Sequence, residues 1–133
     1  MSIVMTLEVE NGAALEDIAD IFLKMGGNYE LGGGRLDSLF TESGCQFSIR
    51  YLSEPESVVA EEMSDVDWKV GLRGAFHCRG ANLVASWCDI QRFVENFAEV
   101  KRFRFVLSFQ YEEVYAIRNS DGLFFIRSLL CDG

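Results

Sequence analysis

The chain has 133 residues, 21 acidic against 12 basic, for a net charge of −9. That length predicts one domain around one core, and 49% hydrophobic with 25% charged residues excludes a disordered chain. The sign of the charge opposes direct nucleic-acid binding and docking on anionic membranes, and it suits a basic partner.

The opening stretch, MSIVMTLEVENG, lacks the basic start and long apolar run of a signal peptide. No stretch approaches the ~18 apolar residues of a membrane span. A cytoplasmic protein is therefore expected. Ile3, Met5, Leu7 and Val9 alternate as in a strand. Asn11-Gly12 breaks the pattern, and a helix follows. Leu15, Ile18, Ala19 and Phe22 form its apolar stripe, with Glu16 and Asp17 in the first turn, Lys24 in the last and Gly26-Gly27 as the stop. NYELGGGR then reads as a flexible connector. Its three glycines lack the following helix and Lys of a phosphate loop. RLDSLFTESGCQFSIRYL reads as a hairpin turning at TESG, with Cys45, Phe47, Ile49 and Tyr51 on one face.

The next stretch, SEPESVVAEEMSDVDW, holds Glu54, Glu56, Glu61, Glu62, Asp65 and Asp67 and no base. It is expected as an exposed acidic insert at about 53–67, after Pro55 closes the hairpin. A short helix capped by Ser57 and a plain loop are both open. Most of the six carboxylates are expected to be free of bases within the chain. Residues 1–67 hold 14 acids and 3 bases, and residues 68–133 hold 7 acids and 9 bases, so the acidity is concentrated before Trp68.

DWKVGLRGAFHC alternates Trp68, Val70, Leu72 and Phe76 against Lys69, Gly71, Arg73 and His77 as a long strand, with a possible bulge at Gly74. ANLVA is expected to return as its partner strand. SWCDIQRFVENFAEV is the second helix, with Ser86 and Asp89 spaced as a capping box. FRFVLSFQ makes a further strand, and EEVYAIRNSDGLFFIRSLL a hairpin turning at NSDG. The expected fold is α+β, a single domain with a largely antiparallel sheet and two helices packed on one face.

Motifs that carry catalysis are missing. There is no nucleophile elbow, Walker loop, HExxH or helix-opening G-x-G-x-x-G. His77 is the one histidine, and as a neighbour of Cys78 on a strand it points to the other face. A Cys/His pair is disfavoured on that ground, and so is a zinc site from Cys45, His77, Cys78 and Cys88. Free thiols are expected of all four cysteines, Cys131 included, and burial as small hydrophobes of Cys45, Cys78 and Cys88. No catalytic residue, cofactor or metal is assigned, and turnover is not expected. The acidic run is equally a solvated face or a partner surface. As a partner surface it comprises the six carboxylates and Tyr51 at its border, with Trp68 expected to point inward.

A hairpin feeding a helix SWCDIQRFVENF, and a chain closing on DGLFFIRSL, resembles bacterial immunity proteins of polymorphic toxin and contact-dependent growth inhibition systems. The resemblance is to the class and covers the last half of the chain. It implies tight binding to a cognate toxin domain, basic if that toxin is a nuclease, by occlusion of the toxin's active site. An acidic nucleic-acid mimic that blocks a DNA-binding protein would use the same charge. A small ligand-binding domain would instead need a pocket above roughly 300 Å³.

Overall fold

The structure is a computed structural model and describes residues 2–61, 63 and 66–129. Its elements in chain order are β1 (Ser2–Glu10), α1 (Leu15–Lys24), β2 (Tyr29–Gly32), β3 (Arg35–Leu39), β4 (Gln46–Glu56), β5 (Val70–Arg79), α2 (Leu83–Val100), β6 (Phe105–Phe109), β7 (Glu113–Asn119) and β8 (Gly122–Phe125). The eight strands form one antiparallel sheet in the order β2-β3-β4-β5-β1-β6-β7-β8. β1 thus sits between the two hairpin-built halves, paired with β5 on one edge and β6 on the other.

Both helices cover one face. Met5, Leu7 and Val9 of β1, Phe47 and Ile49 of β4, and Leu72 and Phe76 of β5 meet Ile18 and Phe22 of α1 and Trp87, Ile90, Phe93 and Phe97 of α2. Phenylalanine rings knit this layer, with Phe47 and Phe76 at 4.5 Å between centroids and Phe22 and Phe93 at 5.1 Å. The acidic first turn of α1 is used directly, because the Ala14 N–H donates to the Asp17 carboxylate at 2.8 Å. The Tyr51 hydroxyl accepts the Leu15 N–H at 2.9 Å, satisfying one orphan donor of the helix start.

Four sequence expectations are corrected. NYELGGGR is not a loop: β2 and β3 form a hairpin whose two turn residues, Gly33 and Gly34, have φ of 63° and 75°. Such a turn matches strand twist and demands left-handed residues, which glycine supplies. The hairpin does not end at Pro55. β4 runs on to Glu56, and residues 52–55 bulge outward between the Tyr51–Leu72 and Glu56–Val70 pairs. A proline that has no ladder bond to make fits there.

ANLVA is not a strand. Gly80–Asn82 is a short 3-10 turn, and Leu83 already begins α2. β5 is flanked by β1 and β4 and has no free edge for another partner. The apolar stripe of α2 simply extends back through Leu83. Ser86 and Asp89 consequently lie inside the helix, buried, and do not cap it; Asn82 occupies the cap position.

The fourth correction concerns the glycines of β5. The bulge is at Gly71, where Val9 pairs Leu72 and Glu10 pairs Val70. Gly74 stays in register and is needed for a different reason. A Cβ there would stand 2.4 Å from the Ser48 carbonyl oxygen and 2.6 Å from Ile49 Cβ.

Candidate functional site

The second face of the sheet carries its own apolar cluster: Val70 of β5, Val106 of β6 and Val114 of β7, covered by Val58, Ala60 and Trp68. The covering residues come from the acidic insert. Residues 57–69, where described, form a strap without helix across this face. Val58 and Ala60, two apart, turn inward while Val59 and Glu61 turn out. The ends of the strap meet. Glu56 pairs with Val70, Lys69 Nζ donates to Ser57 Oγ at 3.1 Å, and the Asn11 N–H donates to the Lys69 carbonyl at 2.7 Å. This is the build of a compact loop whose own side chains pack beneath it.

Two carboxylates of β1 hold the strap, Glu8 by its backbone and Glu10 through Arg104. Glu8 is fully buried. It accepts the N–H groups of Val59 and Ala60 at 2.9 and 3.0 Å and pairs with Arg73 Nη2 at 2.9 Å. Arg73 reaches on to Glu56 at 2.7 Å. A buried carboxylate is tolerated because every contact it makes is a charge-assisted donor. At the other end Arg104 links Glu10, at 2.6 Å, to Asp67 of the strap, at 2.9 Å. The Arg104 hydrogen bonds hold the Glu10 carboxyl below its ordinary range against the opposing effect of burial. Glu61 adds a backbone link, its N–H donating to the Tyr111 carbonyl at 2.7 Å.

The pairing register explains this arrangement. One cross-strand row on this face reads Arg35, Arg50, Arg73, Glu8, Val106, Ile117 and Phe124 from β3 to β8. The row passes from cationic through acidic to apolar. The strap lies where charge gives way to hydrophobe, which suits a segment whose inner side chains are apolar and whose N–H groups need acceptors.

The structure sorts the sequence-predicted partner residues. Glu54 and Glu61 are exposed and have no ion pair among the described residues. Glu56 and Asp67 are ion-paired through Arg73 and Arg104. Of the four described acids expected to be free of internal bases, two are free and two are structural. Glu62 and Asp65 lie outside the described residues. Tyr51 is 42% exposed, but it shares the helix-bearing face with Phe47 and Ile49 and caps α1, so it does not flank the strap. Trp68 points inward as expected, into the second cluster instead of the helix-side core. Glu8, Glu10, Arg73 and Arg104 were not among the sequence candidates. The only hint of them was a carboxylate at two alternate positions of an apolar strand.

Elsewhere, His77 is exposed beside buried Cys78 and pairs across strands with Val4 and Gln46. Cys88 is exposed, against the expectation that it packs inside. Among the described residues no cluster of three potential metal ligands occurs, and no helix is long and apolar enough to cross a membrane. A cavity of about 630 Å³ is an open notch at the β2 side lined by Asn28, Tyr29, Glu30, Ser38, Gln46 and neighbouring residues. Two of its polar groups are occupied, as the Ser38 hydroxyl donates to the Asn28 carbonyl and Asp37 pairs with Arg35.

No protein-family model matches this chain, and neither the curated proteins nor the solved structures contain a significant match to it.

Proposed function

We propose that this chain is a binding protein of the immunity type, which neutralises a cognate basic toxin domain by covering its active site with the strap face. The observation that carries the reading is the division of labour among the acids of the strap and of the end of β4 that leads into it. The strap is fixed by backbone bonds to Glu8 and by the Asp67–Arg104 pair, which leaves Glu54 and Glu61 directed to solvent without an internal base. Pre-organised, unpaired carboxylates are what a cationic cleft attracts, and fixing them in advance removes part of the ordering cost of binding. The test is co-purification with the product of the gene encoded beside this chain, together with protection of cells in which that product is toxic. A Glu54→Gln/Glu61→Gln variant should bind more weakly and protect less. Undiminished protection by that variant would defeat the acidic-strap reading, and failure to recover any neighbouring product would defeat the immunity role.

A small ligand-binding domain is the second reading, favoured by the volume of the β2-side notch. Substituting Ser38 and Tyr29 would then abolish function, whereas under the first reading it would leave toxin binding unchanged.

A further inference from the structure

The helix-side core is apolar except at one end, where Cys45, Cys78, Ser86 and Asp89 are all buried together. Gln46 pairs with His77 in the β4–β5 ladder, so the next rung places Cys45 opposite Cys78. Their Sγ atoms are 3.7 Å apart. Directly opposed antiparallel residues stand about 4.5–5.5 Å apart at Cα, within the roughly 4.4–6.8 Å that a disulfide spans. Closing the bond requires a side-chain adjustment and no new fold.

We propose that Cys45 and Cys78 are an intramolecular thiol–disulfide site that takes small disulfides as its oxidant. Cys78 is the attacking sulfur. The hydrogen bond from the Cys45 thiol lowers its pKa from the usual thiol value against the effect of burial. Cys45 is pushed up by donating that bond, by burial and by the charges of Cys78 and Asp89. A surface cavity of about 300 Å³ is lined by Gly44, Gln46, His77, Cys78 and Arg79, so Cys78 and not Cys45 borders it. In the first step the Cys78 thiolate bonds to one sulfur of the small disulfide and expels the other as a thiolate. In the second, Cys45 gives up its proton and bonds to Cys78 Sγ, expelling the second small thiolate. The two protons lost by the protein thiols end on the two released thiols, so two protein thiols are oxidised and one small disulfide is reduced. The new bond joins the 41–44 turn to the end of β5. That turn is already tied to the start of α2, because Asn82 Nδ2 donates to the Ser43 carbonyl at 3.1 Å.

The test uses the full chain carrying Cys88→Ser and Cys131→Ser, which leaves only the two thiols in question. It is incubated folded with oxidised glutathione and mapped by non-reducing peptide mass spectrometry. The expected product is a Cys45–Cys78 linked peptide pair two hydrogens lighter than its parts, with both free thiols lost and both recovered on reduction. A further Cys45→Ser change should stop the reaction at a glutathione adduct on Cys78. An absence of the linked pair in the folded protein, or its formation only in denaturant, would overturn the proposal. So would an adduct carried by Cys45 in preference to Cys78.

Discussion

Glu8 sets the most demanding local requirement in the molecule. It is a carboxylate with no solvent contact, surrounded by two backbone N–H groups and the Arg73 guanidinium. Removing it leaves those donors buried and unmatched, so Glu8→Ala should cost about 3 kcal/mol or more in urea unfolding. Glu56→Ala touches the same arginine from a half-exposed position and should cost less than about 1 kcal/mol. Equal losses would mean that the strap is not held through Glu8. Gly74 is the second exacting position. An alanine methyl would meet the Ser48 carbonyl and Ile49 at less than van der Waals distance. Gly74→Ala should therefore destabilise by about 1–3 kcal/mol, measurable as a lowered midpoint at unchanged slope. Glu10 supplies a pH dependence. Its folded pKa lies below its ordinary value of 4.5 because Arg104 stabilises the charged form. Its contribution is then complete above about that pH and disappears as pH falls through the lower folded value. Glu10→Gln should flatten that acid limb of the stability curve, and an unchanged limb would show that Glu10 does not link to folding.

At the scale of elements, the sequence was legible wherever one face of a strand or helix meets the helix-side core. β1, α1, β6 and the β7–β8 hairpin follow directly from periodicity and their turn residues. The errors share a cause, which is that the period is local and the partner is not. ANLVA has strand-like residues, yet β5 has no edge left to receive it, so the same residues extend α2. The alternation of β1 places Glu8 on a polar face. In the fold that face is covered too, because the strap arrives from residues 57–69 and buries Glu8. The six acids dominate the composition of the segment, but the apolar side chains of Val58, Ala60 and Trp68 decide where it lies. The β6–β7 turn gave no signal at all. Gln110 and Tyr111 hold left-handed φ of 48° and 68° without glycine, a conformation that costs roughly 1–2 kcal/mol per residue. The Tyr111 carbonyl offsets part of that cost by accepting the Glu61 N–H. The acidic segment is thus a structural element first, and the residues that fix it were visible only as isolated charges in strands.

Over the whole molecule, the net charge of −9 acts at long range and the paired acids act at short range. The two should separate kinetically. If Glu54 and Glu61 steer a cationic partner, replacing both with Gln should lower k_on severalfold at low salt while k_off stays nearly constant. The difference should fade as the Debye length contracts from about 10 Å at 0.1 M to about 3 Å at 1 M. Glu56→Gln/Asp67→Asn removes the same formal charge, so pure long-range steering predicts the same loss of k_on. Those two residues, however, also hold the strap against Arg73 and Arg104. Losing them loosens the strap and makes the bound state less well organised, which should appear as a faster k_off that persists at high salt. Stopped-flow association and surface-plasmon dissociation across a salt series distinguish the two. If both double variants change k_on alike and leave k_off alone, the strap's clamping has no part in binding. If neither changes either rate, the acidic face is not the surface that meets the partner.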